Sequence, residues 1–154
     1  MSRRRRTAVF ALGLALLSFP AVIGLRAWHH WQFCRTAGCP LGWLGPADWV
    51  IAAVGCLAML LGGIVSARSA PAGGFLTRVL GLLMTSLLVA FPVAALAFAF
   101  LPAIAQGPSA LGLLPMAFGG ALLVGVREYG VAALVVTAFW SMVYAGFERR
   151  VEAR

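Results

Sequence analysis

The chain has 154 residues, of which 62% are hydrophobic and 10% charged, and its mean hydropathy is +0.97. A soluble domain of this length needs more polar surface, so the composition excludes an ordinary soluble protein and predicts a protein surrounded by lipid. The formal net charge of +8 comes from arginines at the ends of apolar stretches, so it indicates membrane topology and no nucleic-acid partner is expected.

Four long apolar stretches predict four transmembrane helices, at residues 7–25, 49–67, 75–101 and 130–147. A hydrocarbon core about 30 Å thick needs about 20 helical residues at a rise of about 1.5 Å each, so every stretch is long enough to span. A membrane β-barrel would need alternating apolar and polar residues, and these stretches do not alternate. The sequence therefore predicts an all-α fold, a polytopic helical bundle forming one membrane domain over residues 1–154.

The first stretch follows a run of four arginines, Arg3 to Arg6, which is also typical of a signal peptide. The residues after the stretch lack the small-x-small pattern that a signal peptidase recognises, and the apolar run continues past Pro20. We therefore expect an uncleaved first helix.

The connection between the first two spans is predicted to be an outer loop rich in tryptophan. Indole rings collect at membrane interfaces because their bodies are apolar while the ring N–H still seeks a polar partner. Four tryptophans in or beside this loop are therefore candidate interface anchors: Trp28, Trp31, Trp43 and Trp49. Glycines and prolines predict turns in the second half of the loop.

Cys34 and Cys39 lie in the same loop, and the four residues between them are flexible enough for a disulfide. If the loop faces an oxidising compartment, a structural disulfide is the expected state. A redox-active pair, a metal site and two free thiols remain open as alternatives. Cys56 lies within the second span and is predicted to be a small buried apolar residue.

His29 and His30, together with the cysteines, are weak candidates for zinc or copper ligands. Adjacent helical residues point about 100° apart and rarely bind one ion together, so no metal site is predicted. Both histidines of the chain lie in this loop, which disfavours haem ligation within the bilayer. No cofactor is expected.

Residues 109–126 are nearly as apolar as the spans and leave the number of helices open between four and five. With four spans and a cytoplasmic N-terminus, nine of the twelve arginines are cytoplasmic, whereas a fifth span reduces that number to seven. The positive-inside rule therefore favours four. Pro115 and the pair Gly119 and Gly120 then suit a re-entrant or interfacial piece, or a long kinked entry into the last helix.

Four spans with a cysteine pair in an outer loop resemble the four-helix membrane oxidoreductases that pass electrons to quinone. Those enzymes have a more closely spaced pair and a second set of cysteines, and residues 102–125 of this chain contain none. The resemblance implies a membrane thiol-disulfide oxidoreductase that uses Cys34 and Cys39, which we retain as the alternative function.

The leading hypothesis is a small non-enzymatic accessory or assembly subunit of a larger membrane complex, with the lipid bilayer and other membrane subunits as partners. The spans contain packing residues but no ion relay, since the acidic residues lie at span ends: Asp48, Glu128, Glu148 and Glu152. Arginine is used twelve times while lysine and asparagine are absent, which suggests a GC-rich bacterial genome and hence a bacterial inner membrane.

Overall fold

The computed structural model describes the backbone of residues 3–37, 44–70, 73–106 and 112–152. The chain forms four helices: α1 (Arg3–Ala37), α2 (Pro46–Ser69), α3 (Phe75–Gln106) and α4 (Leu114–Glu152). All four are long and apolar enough to cross a membrane, and the described ranges contain no strand. The predicted all-α bundle of four transmembrane helices is confirmed.

The segment predicted as a re-entrant piece or a fifth span is, from Leu114 onward, the first part of α4. Pro115 lies in the first turn of α4, where a helix has no backbone partner for the N–H that proline lacks, so it does not interrupt the helix. Gly119 and Gly120 are accommodated within the same helix. Residues 109–111 lie outside the described part of the chain.

The first half of the predicted outer loop is helical as well, because α1 continues to Ala37. Trp28, Trp31 and Cys34 are therefore presented by a helix instead of a loop. Trp49 belongs to the start of α2, where Pro46 occupies the first turn and the Asp48 carboxylate accepts a hydrogen bond from the N–H of the N-cap residue Gly45.

The helices pack as a ring in which each contacts its two neighbours in chain order and α4 returns to α1. The α1–α4 pairing is the least extensive of the four. Four antiparallel helices make an even number of crossings, so the start of α1 and the end of α4 lie at one end of the bundle, which we call the terminal end. The opposite end, with the connections after α1 and α3, is the loop end.

Small residues let the helices approach closely in the terminal half of the bundle. A Cβ added at Gly62 would lie 2.5 Å from the carbonyl oxygen of Ser86 on α3, and one added at Gly63 would lie 2.9 Å from the Cα atom of Ala11 on α1. Gly13 of α1 lies directly against the ring of Trp140 on α4. At these three positions only glycine leaves room for the neighbouring helix.

Large buried side chains fill the rest of this terminal half. Phe10, Leu14 and Leu82 are almost completely buried, and the rings of Phe10 and Tyr144 meet edge to face with centroids 4.9 Å apart. The indole N–H of Trp140 donates a 2.8 Å hydrogen bond to the carbonyl oxygen of Phe10. The terminal half is therefore a closely packed core without a channel through it.

Candidate functional site

A buried carboxylate joins three helices at the terminal end. Glu148 of α4 has a side chain only 8% exposed, and it lies 3.7 Å from Nη1 of Arg6 on α1 and 3.3 Å from Nε of Arg78 on α3. The hydroxyl of Tyr144 is 3.0 Å from Oε1 of Glu148 and 3.1 Å from the carbonyl oxygen of Arg6. We call these four residues the terminal cluster. It holds three helices together, because the carboxylate of α4 attracts the guanidiniums of α1 and α3.

A second polar group lies at the loop end. Nε and Nη2 of Arg26 are both 2.6 Å from Oδ1 of Asp48, whose Oδ2 accepts a 2.9 Å hydrogen bond from the Gly45 N–H. Tyr129 of α4 lies near Arg26 and interacts with its charge. Glu128, next to Tyr129 on α4, lies 3.3 Å from Nδ1 of His29. The loop cluster consists of Arg26, His29, Asp48, Glu128 and Tyr129.

The two clusters are separated by the thickness of a bilayer core. Arg6 and Arg26 are twenty residues apart on α1, as are Glu128 and Glu148 on α4. At about 1.5 Å per residue this separation is about 30 Å, which matches the hydrocarbon core. We therefore expect the two clusters to lie near opposite surfaces of the membrane.

A cavity of about 530 Å³ lies between the four helices in the loop half of the bundle. Its lining is mostly apolar and rich in alanine and glycine, with Phe91 and Phe98 contributed by α3. Three members of the loop cluster, Arg26, Glu128 and Tyr129, lie at its polar end. An apolar cavity with a few polar groups at one end is the usual form of a small-molecule site.

A shallow groove of about 820 Å³ lies beside the last turns of α1. The rings of Trp28 and Trp31 have centroids 5.2 Å apart, and the guanidinium of Arg35 lies 5.5 Å from the Trp31 ring centroid. Phe33 and Glu128 also line this groove. Trp28, Trp31 and Trp49 keep substantial exposure, while Trp43 lies outside the described residues.

Cys34 is buried, with its Sγ 3.5 Å from Nδ1 of His30. Cys39 lies outside the described residues, so the disulfide between them stays a prediction. Cys56 is a free cysteine, and its thiol lies 3.5 Å from the carbonyl oxygen of Ala15.

The adjacent histidines have different partners, since His29 meets Glu128 on α4 while His30 meets Cys34 on its own helix. This divergence follows from the angle of about 100° between successive residues of a helix. Within the described part of the chain, no three histidine, cysteine or acidic residues are grouped so that they could hold a metal ion.

The inter-helix ion pairs were missed by the sequence reasoning, although a signal for them is present. Asp48, Glu128 and Glu148 each lie at a span end, and each span end also carries an arginine or histidine on a neighbouring helix. Both clusters could have been predicted by pairing the acidic and basic residues that are expected at the same membrane surface. The cavity has no comparable sequence signal.

Comparison with known protein families, with characterised proteins and with solved structures finds no match to this chain.

Proposed function

We propose that the protein is a non-enzymatic accessory or assembly subunit of a larger membrane complex. The observation that carries the proposal is an apolar surface beyond the loop cluster. Helix α1 continues eleven residues past Arg26, to Ala37, which is about 16 Å at a rise of about 1.5 Å per residue. This part of α1 therefore projects past the hydrocarbon core on the side where α4 begins.

The projecting part of α1 and the start of α4 carry large exposed apolar side chains. Phe33 is 66% exposed and Met116 is 79% exposed, and Leu113 and Trp28 are also more than half exposed. Apolar side chains within the bilayer are covered by lipid, but those outside it need another cover. A contiguous apolar patch of more than a few hundred Å² usually marks an interaction site. A partner subunit that contacts both helix ends would cover this surface.

The charged groups of the two clusters support a structural role. Among the described side chains, the carboxylates of Asp48, Glu128 and Glu148 each pair with a basic residue of another helix. Such pairs hold helices together, and proton or ion transport normally needs an ionisable group within a span. An accessory subunit needs only a stable bundle and an exposed contact surface.

We place the terminal end in the cytoplasm. Seven arginines with described side chains lie at that end: Arg4, Arg5, Arg6, Arg68, Arg78, Arg149 and Arg150. Three lie toward the loop end, Arg26, Arg35 and Arg127. The positive-inside rule favours the terminal end as the cytoplasmic one. The arginine-only basic composition supports a bacterial inner membrane as the location.

The test of the accessory role is partner recovery with a damaged contact surface. We expect the wild-type protein, extracted in mild detergent, to purify with a stoichiometric membrane partner identified by mass spectrometry. The double variant Phe33→Ala/Met116→Ala should lower partner recovery about tenfold, the effect of losing about 1.4 kcal/mol of binding free energy. Its abundance in the membrane should be unchanged.

The matched control is Leu88→Ala on α3, because Leu88 is 68% exposed but lies within the span, on a lipid-facing surface. This variant should keep the partner. Purification of wild-type protein without any stoichiometric partner, or equal recovery with the double variant, would contradict the accessory role.

The alternative function is a membrane thiol-disulfide oxidoreductase that uses Cys34 and Cys39. The contact between Sγ of Cys34 and Nδ1 of His30 favours it, because a histidine ring beside a cysteine is a feature of reactive thiols. We expect alkylation before and after reduction to show that Cys34 and Cys39 are disulfide-bonded and that Cys56 is reduced. Labelling of all three thiols without reductant would show that the disulfide prediction is wrong.

Replacing both loop cysteines separates the two functions. A disulfide that closes a loop of about six residues contributes on the order of 2 kcal/mol by chain entropy. Under the accessory hypothesis, Cys34→Ser/Cys39→Ser inserts and still binds its partner, with Cys56→Ser as the control. Complete loss of cellular disulfide formation at unchanged abundance would instead support the oxidoreductase.

A further inference from the structure

The cavity in the loop half of the bundle has the depth of one membrane leaflet. Ser18, at its inner end, is eight residues from Arg26 on α1, and Val136 is eight residues from Glu128 on α4. Both intervals correspond to about 12 Å at a rise of about 1.5 Å per residue. Half of a hydrocarbon core about 30 Å thick is about 15 Å. From the loop cluster inward, the cavity therefore reaches near the midplane, while on α4 its lining also continues outward from Glu128 as far as Gly120.

The cavity ends near the midplane because the terminal half is closed. Phe10 and Leu14 are fully buried there, and Trp140 packs against Gly13. Met59 on α2 and Ala90 on α3 are the lining residues of those helices that lie nearest the terminal end. The lining residues of α1 and α4 reach about the same depth, to within about one helical turn. A ligand can enter from the loop half but cannot cross the protein, which makes the cavity a binding site and not a pore.

The chemistry of the lining suits hydrocarbon and not water. Of its few polar groups away from the loop cluster, the Ser18 hydroxyl already donates a 2.7 Å hydrogen bond to the carbonyl oxygen of Leu14. A buried water needs two to four polar partners, and this part of the cavity does not supply them. The volume of about 530 Å³ lies within the range of about 300–1,000 Å³ that is typical of ligand pockets. A lipid chain is the occupant that the surrounding bilayer supplies.

The polar end of the cavity presents both charges. Arg26 pairs with Asp48 through two of its nitrogen atoms, while a guanidinium has five N–H donors in all. Tyr129 adds a hydroxyl and Glu128 adds a carboxylate. Asp48 balances Arg26, and the carboxylate of Glu128, which also contacts His29 at 3.3 Å, adds negative charge at this end, so a purely anionic headgroup is unfavourable. A headgroup with a phosphate for Arg26 and an ammonium for Glu128 matches both charges.

We propose that this cavity binds one acyl chain of a zwitterionic phospholipid from the leaflet at the loop end, with the headgroup at Arg26, Glu128 and Tyr129. The chain lies along the alanine-rich and glycine-rich walls and ends above the closed terminal half. The opening of the cavity lies on the loop-end side of Glu128, where Val124 lines it and is 58% exposed. The bound lipid fills the space that the four helices leave between them and so stabilises the loop half.

The proposal is tested by native mass spectrometry of the full chain. Delipidated protein is incubated with dioleoyl phosphatidylethanolamine or, separately, with dioleoyl phosphatidylglycerol. We expect one retained phosphatidylethanolamine per protein and at least fivefold weaker retention of phosphatidylglycerol. Equal retention of both lipids, or stronger retention of phosphatidylglycerol, would overturn the headgroup assignment. Failure of wild-type protein to retain either lipid would overturn the site itself.

Two variants fill the cavity from different helices, so that the misfolding of one does not prevent the test. Ala94→Phe acts from α3 and Ala132→Leu acts from α4, and both positions line the cavity. Each should lower lipid retention about tenfold while helix content stays unchanged. The matched control is Leu96→Phe, which enlarges a partly exposed side chain of α3 outside the lining. Undiminished retention by a folded cavity-filling variant would overturn the proposal.

The headgroup contact has its own variant. Glu128→Gln removes the carboxylate and keeps the shape of the side chain, so it should remove the preference for phosphatidylethanolamine while total lipid retention persists. An unchanged preference would contradict the role of Glu128. Lipid retention by purified protein does not depend on a partner subunit, so this test and the partner-recovery test can fail independently.

Discussion

Replacing Glu148 with glutamine should lower the free energy of unfolding by about 3 kcal/mol, the largest effect we expect from a single charge in this protein. Glu148 is the carboxylate between Arg6 and Arg78, and its side chain is 8% exposed. Glutamine keeps the volume but removes the negative charge that attracts both guanidiniums. Removing one partner of a buried ion pair typically costs about 3–5 kcal/mol, and the partial exposure of both arginines favours the lower value.

The measurement is reversible unfolding of the purified protein in mixed micelles, followed by circular dichroism. The control is Arg150→Gln, two residues further along α4, where an exposed charge is removed and a change below about 0.5 kcal/mol is expected. Equal stability of Glu148→Gln and wild-type protein would show that the terminal cluster does not hold the helices together.

Replacing Gly62 with alanine should separate α2 from α3 and lower stability by about 1–3 kcal/mol. The added Cβ would lie 2.5 Å from the carbonyl oxygen of Ser86. That atom belongs to the backbone of α3, so no side-chain rotation relieves the contact and the helices themselves must move. A shift of α2 would also disturb its contact with α1 at Gly63, where an added Cβ would lie 2.9 Å from the Cα atom of Ala11.

Gly24→Ala is the matched control, because no atom lies within 4 Å of a Cβ added there. Alanine is favoured over glycine within a helix by about 1 kcal/mol in water, so this control should be neutral or stabilising. The same unfolding measurement compares the two variants. Similar stabilities for Gly62→Ala and Gly24→Ala would mean that close packing between α2 and α3 does not contribute to the stability of the bundle.

The existence and number of the spans could be predicted from the sequence because both depend on local properties. A run of apolar residues as long as the bilayer is thick must form a helix in lipid, whatever its neighbours are. The distribution of arginine between the ends favoured four spans over five, and four helices are observed. The helix ends were predicted less well. Tryptophan, histidine and cysteine suggested a loop after residue 25, but α1 persists to Ala37.

The candidate site could be predicted only in part. The sequence pointed to Cys34 and His30 as neighbours in one segment, and the structure brings their side chains together on one helix. It did not reveal that Asp48 would meet Arg26 or that Glu148 would lie between Arg6 and Arg78. Those contacts join residues up to 142 positions apart in the chain. They depend on which helices are neighbours and on how each helix is rotated about its axis.

The position and shape of the cavity depend on the tertiary structure alone and could not be predicted from the sequence. Hydropathy determines that a segment enters the bilayer, since transfer into lipid depends on the composition of that segment. It does not determine how the faces of four helices fit together. Glycines allow close contact at Gly62 and Gly63 in the terminal half, whereas Gly55, Gly120 and Gly125 line the cavity, and a Cβ added at any of them would meet no atom closer than 3.7 Å. The sequence of each segment thus determines by itself that the segment lies in lipid. Close packing, ion pairing between helices and the cavity depend on how the four helices come together.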